Sequence, residues 1–231
     1  MSTADVKVQD GSEKVVIFGT KQIAEIAHFY LTHDSPYEVV AFTVDQEYLE
    51  ADEFLGLPVI AFEEITARFP PNQYRMLVPM SYQKMNKLRA QKYAEAKDKG
   101  YSLINYVSSR ATVWPGLELG DNCMIFENNV IQPFVTIGSD VILWSGNHIG
   151  HHSTIKDHCF LASHIVVSGS VTIEPNCFIG VNATLRDGIT IARECLIGAG
   201  VLILKDTKER EVYRGPSGEL FPRTSDRLGK M

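Results

Sequence analysis

An aliphatic residue recurs at every sixth position between residues 113 and 203, and this repeat constrains the fold more than any other feature of the sequence. The positions are Val113, Leu119, Ile125, Ile131, Ile137, Leu143, Ile149, Ile155, Leu161, Val167, Ile173, Ile179, Leu185, Ile191, Ile197 and Ile203. Helices and ordinary strands do not keep a six-residue period, whereas a hexapeptide β-helix forms one short strand and one corner from each repeat. Three repeats make one triangular coil, so residues 18 apart are predicted to stack.

The four cysteines fall in a single column of this predicted β-helix. Cys123, Cys159, Cys177 and Cys195 are separated by 36, 18 and 18 residues and take the small inward position of the repeat. They form no CxxC pair and do not have the spacing of a zinc site. Since a buried cysteine behaves as a small apolar residue, we interpret them as packing thiols and not as metal ligands or nucleophiles.

The first hundred residues have a different pattern, in which short apolar runs alternate with segments of helical spacing. Strands are predicted at residues 14–18, 39–44, 58–60 and 76–78, and helices at residues 23–31, 63–68 and 84–99. Strands that alternate with helices indicate a small parallel α/β domain. The resulting division is a flexible segment at 1–13, a Rossmann-like domain at 14–108, a β-helix at 109–206 and a tail at 207–231.

Composition and charge exclude several classes of function. The chain has 22 lysines and arginines against 28 acidic residues, for a net charge of -6, and the basic residues are dispersed. Nucleic acid is therefore not expected to be the main partner. The N-terminal residues are polar, and no apolar run approaches the ~18 residues of a membrane span. We expect a cytoplasmic protein without a membrane span.

The turn after the first strand is a candidate phosphate-binding site. In a doubly wound sheet this loop leads into a helix N-terminus, where free N–H groups attract phosphate. Gly19, Thr20 and Lys21 occupy the loop, and Asp45 at the tip of the second strand is placed to contact a ribose or a base. The short domain favours a mononucleotide over a dinucleotide. The alternative is an ordinary strand-to-helix turn with a capping acid.

Four histidines within residues 147–158 are the second candidate site. The six-residue register places His151 on a corner of the coil, between Pro133 below and Gly169 above. Because glycine has no side chain, it leaves open space over the imidazole and an accessible backbone N–H. A general base and a carbonyl substrate need this arrangement. For an exposed histidine taken alone, surface packing is the simpler interpretation, and Gly169 is the reason to favour catalysis at His151.

The alternative interpretation of these histidines is a metal-binding site. The β-helical γ-class carbonic anhydrases hold zinc through three histidines, of which two are five residues apart. No two of the histidines here differ by five; they are His148, His151, His152, His158 and His164. We therefore predict no metal.

The combination of a small nucleotide-binding α/β domain and an uninterrupted hexapeptide β-helix resembles the NeuD-type sugar acyltransferases. This family includes sialic acid O-acetyltransferases and N-acetyltransferases of nucleotide-linked amino sugars. The resemblance covers roughly residues 14–205, and its most specific parts are residues 149–152, 177–183 and 197–200. It implies a left-handed β-helix, a homotrimer, and acetyl-CoA bound in the groove between neighbouring β-helices.

The resemblance also implies roles for individual residues. His151 matches the catalytic histidine and Gly169 the glycine whose N–H stabilises the oxyanion. An acidic residue often follows the catalytic histidine in the family, whereas this chain has His152, so the sequence leaves open what orients His151. The positions that match the cofactor site are Gly180, Val181, Gly198, Ala199, Phe160 and Lys205. Those on the substrate side are Gly19, Thr20, Lys21, Asp45, His148 and His152.

The function predicted from these features is N-acetylation of a nucleotide-linked amino sugar by acetyl-CoA, as a step in making a cell-surface polysaccharide such as O-antigen. Transfer is expected to be direct, with His151 as general base. The alternatives are a sugar O-acetyltransferase and a non-catalytic trimer that binds sugar nucleotides.

Overall fold

The computed structural model describes residues 13–215 together with residues 217, 218, 220 and 222. Nearly all of the predicted flexible segment, and most of the predicted tail beyond residue 215, lie outside the described residues. An α/β part comes first along the described chain and a β-helix follows it, which confirms the predicted fold class. No helix in the described part of the chain is both long enough and apolar enough to cross a membrane.

The α/β part is a mostly parallel sheet with helices packed on it. Its elements are β1 Lys14–Phe18, α1 Gln22–Asp34, β2 Glu38–Val44, a 3-10 turn Gln46–Tyr48, β3 Glu53–Phe54, β4 Leu57–Ala61, α2 Ile65–Arg68, β5 Arg75–Leu77 and α3 Lys87–Asp98. The strand order within the described residues is β3-β4-β2-β1-β5. All pairs are parallel except β3 with β4, an edge pair that the sequence pattern was too short to predict.

The helix predicted at residues 84–99 begins at Lys87. Residues 84–86 have φ values of 51°, 55° and 62°, in the left-handed region that a right-handed helix cannot include. Asn86 is fully buried, and its Nδ2 donates a hydrogen bond to the backbone oxygen of Cys177 at 3.0 Å. This contact with the β-helix holds the turn outside the helix.

The β-helix consists of short strands that follow the predicted six-residue period. They are β6 Tyr106–Val107, β7 Thr112–Val113, β8 Glu118–Leu119, β9 Met124–Ile125, β10 Val130–Ile131, β11 Thr136–Ile137, β12 Ile142–Leu143, β13 His148–Ile149, β14 Thr154–Ile155, β15 Phe160–Leu161, β16 Val166–Val167, β17 Thr172–Ile173, β18 Phe178–Ile179, β19 Thr184–Leu185, β20 Thr190–Ile191, β21 Leu196–Ile197, β22 Leu202–Ile203 and β23 Val212–Tyr213.

These strands form three parallel sheets in the described part of the chain. Sheet I contains β7, β10, β13, β16, β19 and β22; sheet II contains β8, β11, β14, β17 and β20; sheet III contains β6, β9, β12, β15, β18, β21 and β23. Ile131 pairs with Ile149, 18 residues further on, which confirms the predicted stacking. Because β6 and β23 pair within sheet III, the outermost strands lie just outside residues 109–206. The limits of the domains stay a prediction.

The repeated aliphatic residues fill the interior of the β-helix. From Ile125 to Ile203 each of them is at most 3% exposed. The cysteine column is also buried, as predicted. Burial raises the pKa of the Cys123 thiol to about 12, which disfavours the nucleophilic thiolate. The interior therefore contributes stability and no chemistry.

The outer faces of the three sheets differ in polarity. Sheet III is apolar and covered: Met124, Ile142 and Phe160 belong to one buried cluster with Ile17 and Phe42 of the α/β part. Sheet II carries a column of threonines, Thr136, Thr154, Thr172 and Thr190. On sheet I, polar and apolar side chains alternate: Val130, Val166 and Leu202, at 37%, 41% and 58% exposure, alternate with Thr112, His148 and Thr184.

A buried polar network joins α3 to the β-helix. The side chains of Arg89 and Asp140 are 0% exposed, and Arg89 Nε lies 3.0 Å from Asp140 Oδ1. Asn122 Nδ2 donates to the same carboxylate at 2.8 Å, and His158 Nδ1 lies 2.8 Å from its other oxygen. Arg89 also donates to the backbone oxygen of Cys159. These contacts fix the α/β part against the corner that precedes sheet III.

Candidate active site

The His151 corner is the turn of residues 150–152, together with the residues stacked on it one coil below and one coil above. It follows β13 and leads into sheet II. His151 N donates a hydrogen bond to Oε1 of Gln132 at 2.9 Å. Ser170 N, one coil above, donates to the backbone oxygen of His151 at 2.8 Å. The backbone of His151 is therefore held from both sides.

Gly169 lies directly over the imidazole of His151. A Cβ atom at Gly169 would lie 2.7 Å from Cε1 and 2.9 Å from Nε2 of that ring. Replacement of Gly169 by any other residue would therefore displace the imidazole. Glycine permits this close approach because it has no side chain. The predicted stacking is confirmed, while the catalytic roles of both residues stay predictions.

The imidazole of His152 turns back toward His151. The two Nδ1 atoms are 3.0 Å apart. On its other side the His152 ring packs on Phe134, with ring centroids 4.7 Å apart. Phe134 is 74% exposed and has a φ of 66°. His152, which the sequence assigned to the substrate side, is thus in contact with the proposed base itself.

The remaining histidines of the cluster are separated by the coil geometry. His148 projects from sheet I, and His158 contacts Asp140 in the network beside α3. His164 lies on the third corner, where its ring packs over Gly146. Among the residues that the structure describes, no three histidine, cysteine, aspartate or glutamate side chains are grouped so that they could hold a metal ion.

The residues matched to the pantetheine arm lie on the opposite edge of sheet I from His151. Val181 and Ala199 occupy the corner that precedes this sheet, and both are exposed. A Cβ atom on Gly180 would lie 2.7 Å from the backbone nitrogen of Ala199, and one on Gly198 would lie 2.8 Å from the oxygen of Tyr213. The two glycines therefore allow tight stacking of the coils. Within one chain this corner and His151 do not meet.

The other two predicted cofactor contacts are in different surroundings. Phe160 belongs to sheet III and is 4% exposed, with the ring of Tyr82 packed on it at a centroid distance of 5.2 Å. A direct contact between Phe160 and a cofactor would require Tyr82 to move. Lys205 is exposed on the same edge of the β-helix as His151 but three coils above it, about 14 Å away at the usual spacing of paired strands.

The predicted nucleotide turn lies at the carboxyl end of the sheet. Gly19 has a φ of 112°, and Lys21 is the N-cap residue of α1. Asp45 Oδ1 accepts a hydrogen bond from Lys92 Nζ at 2.7 Å, so this carboxylate already has a partner within the chain. Burial alone would lower the pKa of Lys92, but its hydrogen bonds to Asp45 and Glu95 raise it above the usual value.

A cavity opens beside this turn. Its volume is about 140 Å³. It combines backbone at the carboxyl ends of β1 and β2 with polar side chains, but it is smaller than the roughly 300–1,000 Å³ of a typical ligand pocket and has room for only part of a nucleotide. Among the predicted residues only Thr20 lines it, with Val44, Tyr48, Glu50, Ala51, Glu53, Phe54 and Val59.

Two protein-family models match the β-helix. The family described as bacterial transferase hexapeptide (six repeats) matches residues 116–151, and the hexapeptide repeat of succinyl-transferase matches residues 170–205. The β-helix is built from transferase hexapeptide repeats. No curated protein sequence is similar enough to the whole chain to count as a relative.

Several solved structures are similar to this chain over both the α/β part and the hexapeptide β-helix. A variant of perosamine N-acetyltransferase from Caulobacter crescentus, in complex with CoA and GDP-perosamine, is 24% identical over 90% of this chain and 95% of that one, with a TM-score of 0.79. The acetyltransferase domain of PglB from Neisseria gonorrhoeae is 21% identical over 88% and 97%, with a TM-score of 0.78. WeeI from Acinetobacter baumannii is 15% identical over 88% and 97%, with a TM-score of 0.68. The resemblance inferred from the sequence is confirmed for the repeat and the fold.

Three residues of these sites were missed in the sequence. Gln132 accepts a hydrogen bond from the backbone of His151, 19 positions later, and Phe134 packs on His152, 18 positions later. Both contacts could have been predicted from the six-residue register. Lys92 carried no comparable signal. It reaches Asp45 from α3, and only the packing of that helix on the sheet brings the two together.

Proposed function

We propose that this chain is a cytoplasmic, acetyl-CoA-dependent N-acetyltransferase acting on a nucleotide-linked amino sugar. The observation that carries the proposal is the imidazole of His151 beneath Gly169 on an exposed corner of a hexapeptide β-helix. The structural neighbours add support, because one was solved with CoA and GDP-perosamine and another is named an acetyltransferase domain.

The chemistry assigned to this corner is acyl transfer to an amine. Bound acetyl-CoA would supply an acetyl group activated as a thioester, from which the sulfur of CoA is a good leaving group. His151 Nε2 accepts a proton from the sugar amine as the nitrogen bonds to the thioester carbon. The backbone N–H of Gly169 donates to the carbonyl oxygen as it gains negative charge. When the carbon–sulfur bond breaks, the protonated His151 returns a proton to the sulfur, and the amide product leaves.

A homotrimer would complete the site. Sheet I is flanked by the His151 corner on one side and by the corner of Val181 and Ala199 on the other. On its outer face the partly exposed apolar residues Val130, Val166 and Leu202 alternate with Thr112, His148 and Thr184. If three copies turn sheet I toward a common axis, the His151 corner of each copy comes next to the Val181 corner of its neighbour. Cyclic assemblies with this kind of head-to-tail contact are common.

The corner of Val181 and Ala199 is suited to an extended pantetheine arm. Its exposed side chains are small, and Gly200 beside them has open space where a Cβ would be. A ligand can therefore approach the backbone and exchange hydrogen bonds with it. Lys205, on the same edge of the β-helix three coils above His151, would attract a phosphate of CoA. The nucleotide is assigned to the cavity beside Thr20 and to the N-terminus of α1.

Thiol release from acetyl-CoA tests the proposal. Wild-type protein is assayed with amino sugars linked to UDP, dTDP and GDP, and at least one should be acetylated on nitrogen. His151→Asn should lower kcat by about 10²–10⁴-fold while the protein stays folded, because a positioned base contributes this much. His158→Asn, on another corner, is the matched control and should stay within about twofold of wild type.

The other results separate the alternatives. Acetylation only at a sugar hydroxyl would identify an O-acetyltransferase. Stabilisation by sugar nucleotides without thiol release would indicate a binding protein, since a ligand of the folded state raises its apparent stability. Full activity of His151→Asn would show that the base is wrong. Sedimentation should give the mass of three chains, and a stable active monomer would remove the shared groove from the proposal.

A further inference from the structure

The contact between His151 and His152 requires a proton in a defined place. Their Nδ1 atoms are 3.0 Å apart, which is a hydrogen-bond distance. Two nitrogen lone pairs would repel each other, so one imidazole must donate an N–H and the other must accept it. The direction of this bond sets the tautomer of His151, and with it the chemistry available at Nε2.

The position of His152 is fixed by its surroundings as well. Its backbone is in the left-handed region with a φ of 58°, and its ring packs on Phe134. Phe134 has a φ of 66°, an unfavourable conformation for a bulky residue, although the side chain is 74% exposed. The same left-handed conformation recurs at this position of other corners, including Asn128, Asp140 and His158, so the turn of the β-helix requires it whichever residue is present. The exposed Phe134 ring gives the His152 imidazole a fixed support.

The orientation of the His151 ring distinguishes its two nitrogens. Nδ1 lies 3.0 Å from Nδ1 of His152. Gly169 lies over the Cε1 edge of the ring, where a Cβ on Gly169 would be 2.9 Å from Nε2 and 3.3 Å from Nδ1. A base beside Gly169 needs a lone pair on Nε2. This requires the hydrogen of the neutral ring to be on Nδ1, from which it is donated to His152.

We propose that His152 is a positioning residue that accepts the Nδ1–H of His151 and so holds the lone pair of His151 on Nε2. The inference rests on the proposed function only for its effect on catalysis, because the direction of the hydrogen bond can be observed without substrate. It also replaces the substrate-contact role that the sequence suggested for His152.

The same hydrogen bond strengthens during the reaction. When Nε2 accepts the proton of the amine, His151 becomes an imidazolium, and its Nδ1–H then donates as a charged group to a neutral acceptor. An interaction that is stronger in the transition state than in the ground state raises kcat and changes KM little. Loss of a group that orients a metal-bound histidine typically costs about 10–100-fold in metal affinity or activity, and we expect a loss of the same size for the group that orients His151.

Two substitutions distinguish a role of His152 as hydrogen-bond acceptor from a role as a ring that only packs. His152→Asn keeps an acceptor oxygen and tolerates the positive φ, but it loses the ring. His152→Phe keeps the ring and its stack on Phe134, but it has no acceptor. We expect His152→Asn to retain kcat within about threefold, and His152→Phe to lose about 10–100-fold in kcat with KM within about twofold. If His152 only packed the corner, the order of the two variants would be reversed.

Neutron diffraction from deuterium-exchanged crystals of the wild-type protein gives a result independent of activity, because it locates hydrogen atoms. A deuterium on Nδ1 of His151 and none on Nδ1 of His152 is the expected result. The opposite arrangement would overturn the inference. If the expected deuterium is found but no substrate is acetylated, the proposed function fails and the assignment of His152 as acceptor stands.

Discussion

The His151 corner and the His158 corner, which is the turn of residues 156–158, have the same backbone conformation but different surroundings. Each places a histidine in the left-handed region, His152 at a φ of 58° and His158 at 61°. One coil below His152 is an exposed ring, Phe134, and one coil below His158 is a buried carboxylate, Asp140. The first histidine packs on the ring and contacts His151, whereas the second contacts the carboxylate. At each of these two corners, the residue 18 positions earlier is therefore a direct contact of the histidine side chain.

The largest effect is expected from removing that carboxylate. Asp140→Ala leaves the guanidinium of Arg89 charged, buried and without its ionic partner, since both side chains are 0% exposed. Breaking a buried pair by deleting one partner typically costs about 3–5 kcal/mol. The free energy of unfolding, measured by urea denaturation, should fall by this amount.

The matched control is an ion pair at an exposed position of the same corner. Lys156 Nζ lies 2.7 Å from Glu174 Oε1, and the two side chains are 43% and 28% exposed. Lys156→Ala should cost only about 0–1 kcal/mol, as is usual for surface pairs. Equal losses in Asp140→Ala and Lys156→Ala would mean that burial of the Arg89 network does not matter.

A smaller loss of stability is expected from His158→Asn. Asparagine accepts the positive φ, so the backbone is preserved while the 2.8 Å contact with Asp140 is lost. Because a hydrogen bond to a charged group contributes about 1.5–3 kcal/mol, the free energy of unfolding should fall by up to this amount. Since His158 stands on a different corner from His151, acetyl transfer should stay within about twofold. A tenfold loss of activity in a folded variant would show that the two corners are coupled.

The fold could be predicted because the six-residue period has one structural solution. The same arithmetic placed Gly169 over His151, since both are corner positions 18 residues apart. Stacking in a β-helix is a local consequence of the repeat, so the sequence register alone is enough to assign it.

Contacts that depend on side-chain direction or on packing between the two parts could not be predicted this way. The carboxylate of Asp45 was assigned to a ligand, but Lys92 from α3 binds it. Helix α3 begins at Lys87 because Asn86 contacts the β-helix, which no helical pattern records. The contact between His151 and His152 depends on the orientation of the two rings. That the two residues are neighbours in the sequence does not determine this orientation.

The smallest effect is expected from changing the ring below His152. Phe134→Asn relieves the positive φ at this position, which costs a non-glycine residue about 1–2 kcal/mol, but loses the ring contact with His152. We expect a net gain of about 0.5–1 kcal/mol in the free energy of unfolding and about a tenfold loss of kcat, because the His152 imidazole loses its support. Phe134→Tyr keeps the ring and should change neither quantity appreciably. Stabilisation of Phe134→Asn without loss of activity would show that His152 does not need the Phe134 ring to act on His151.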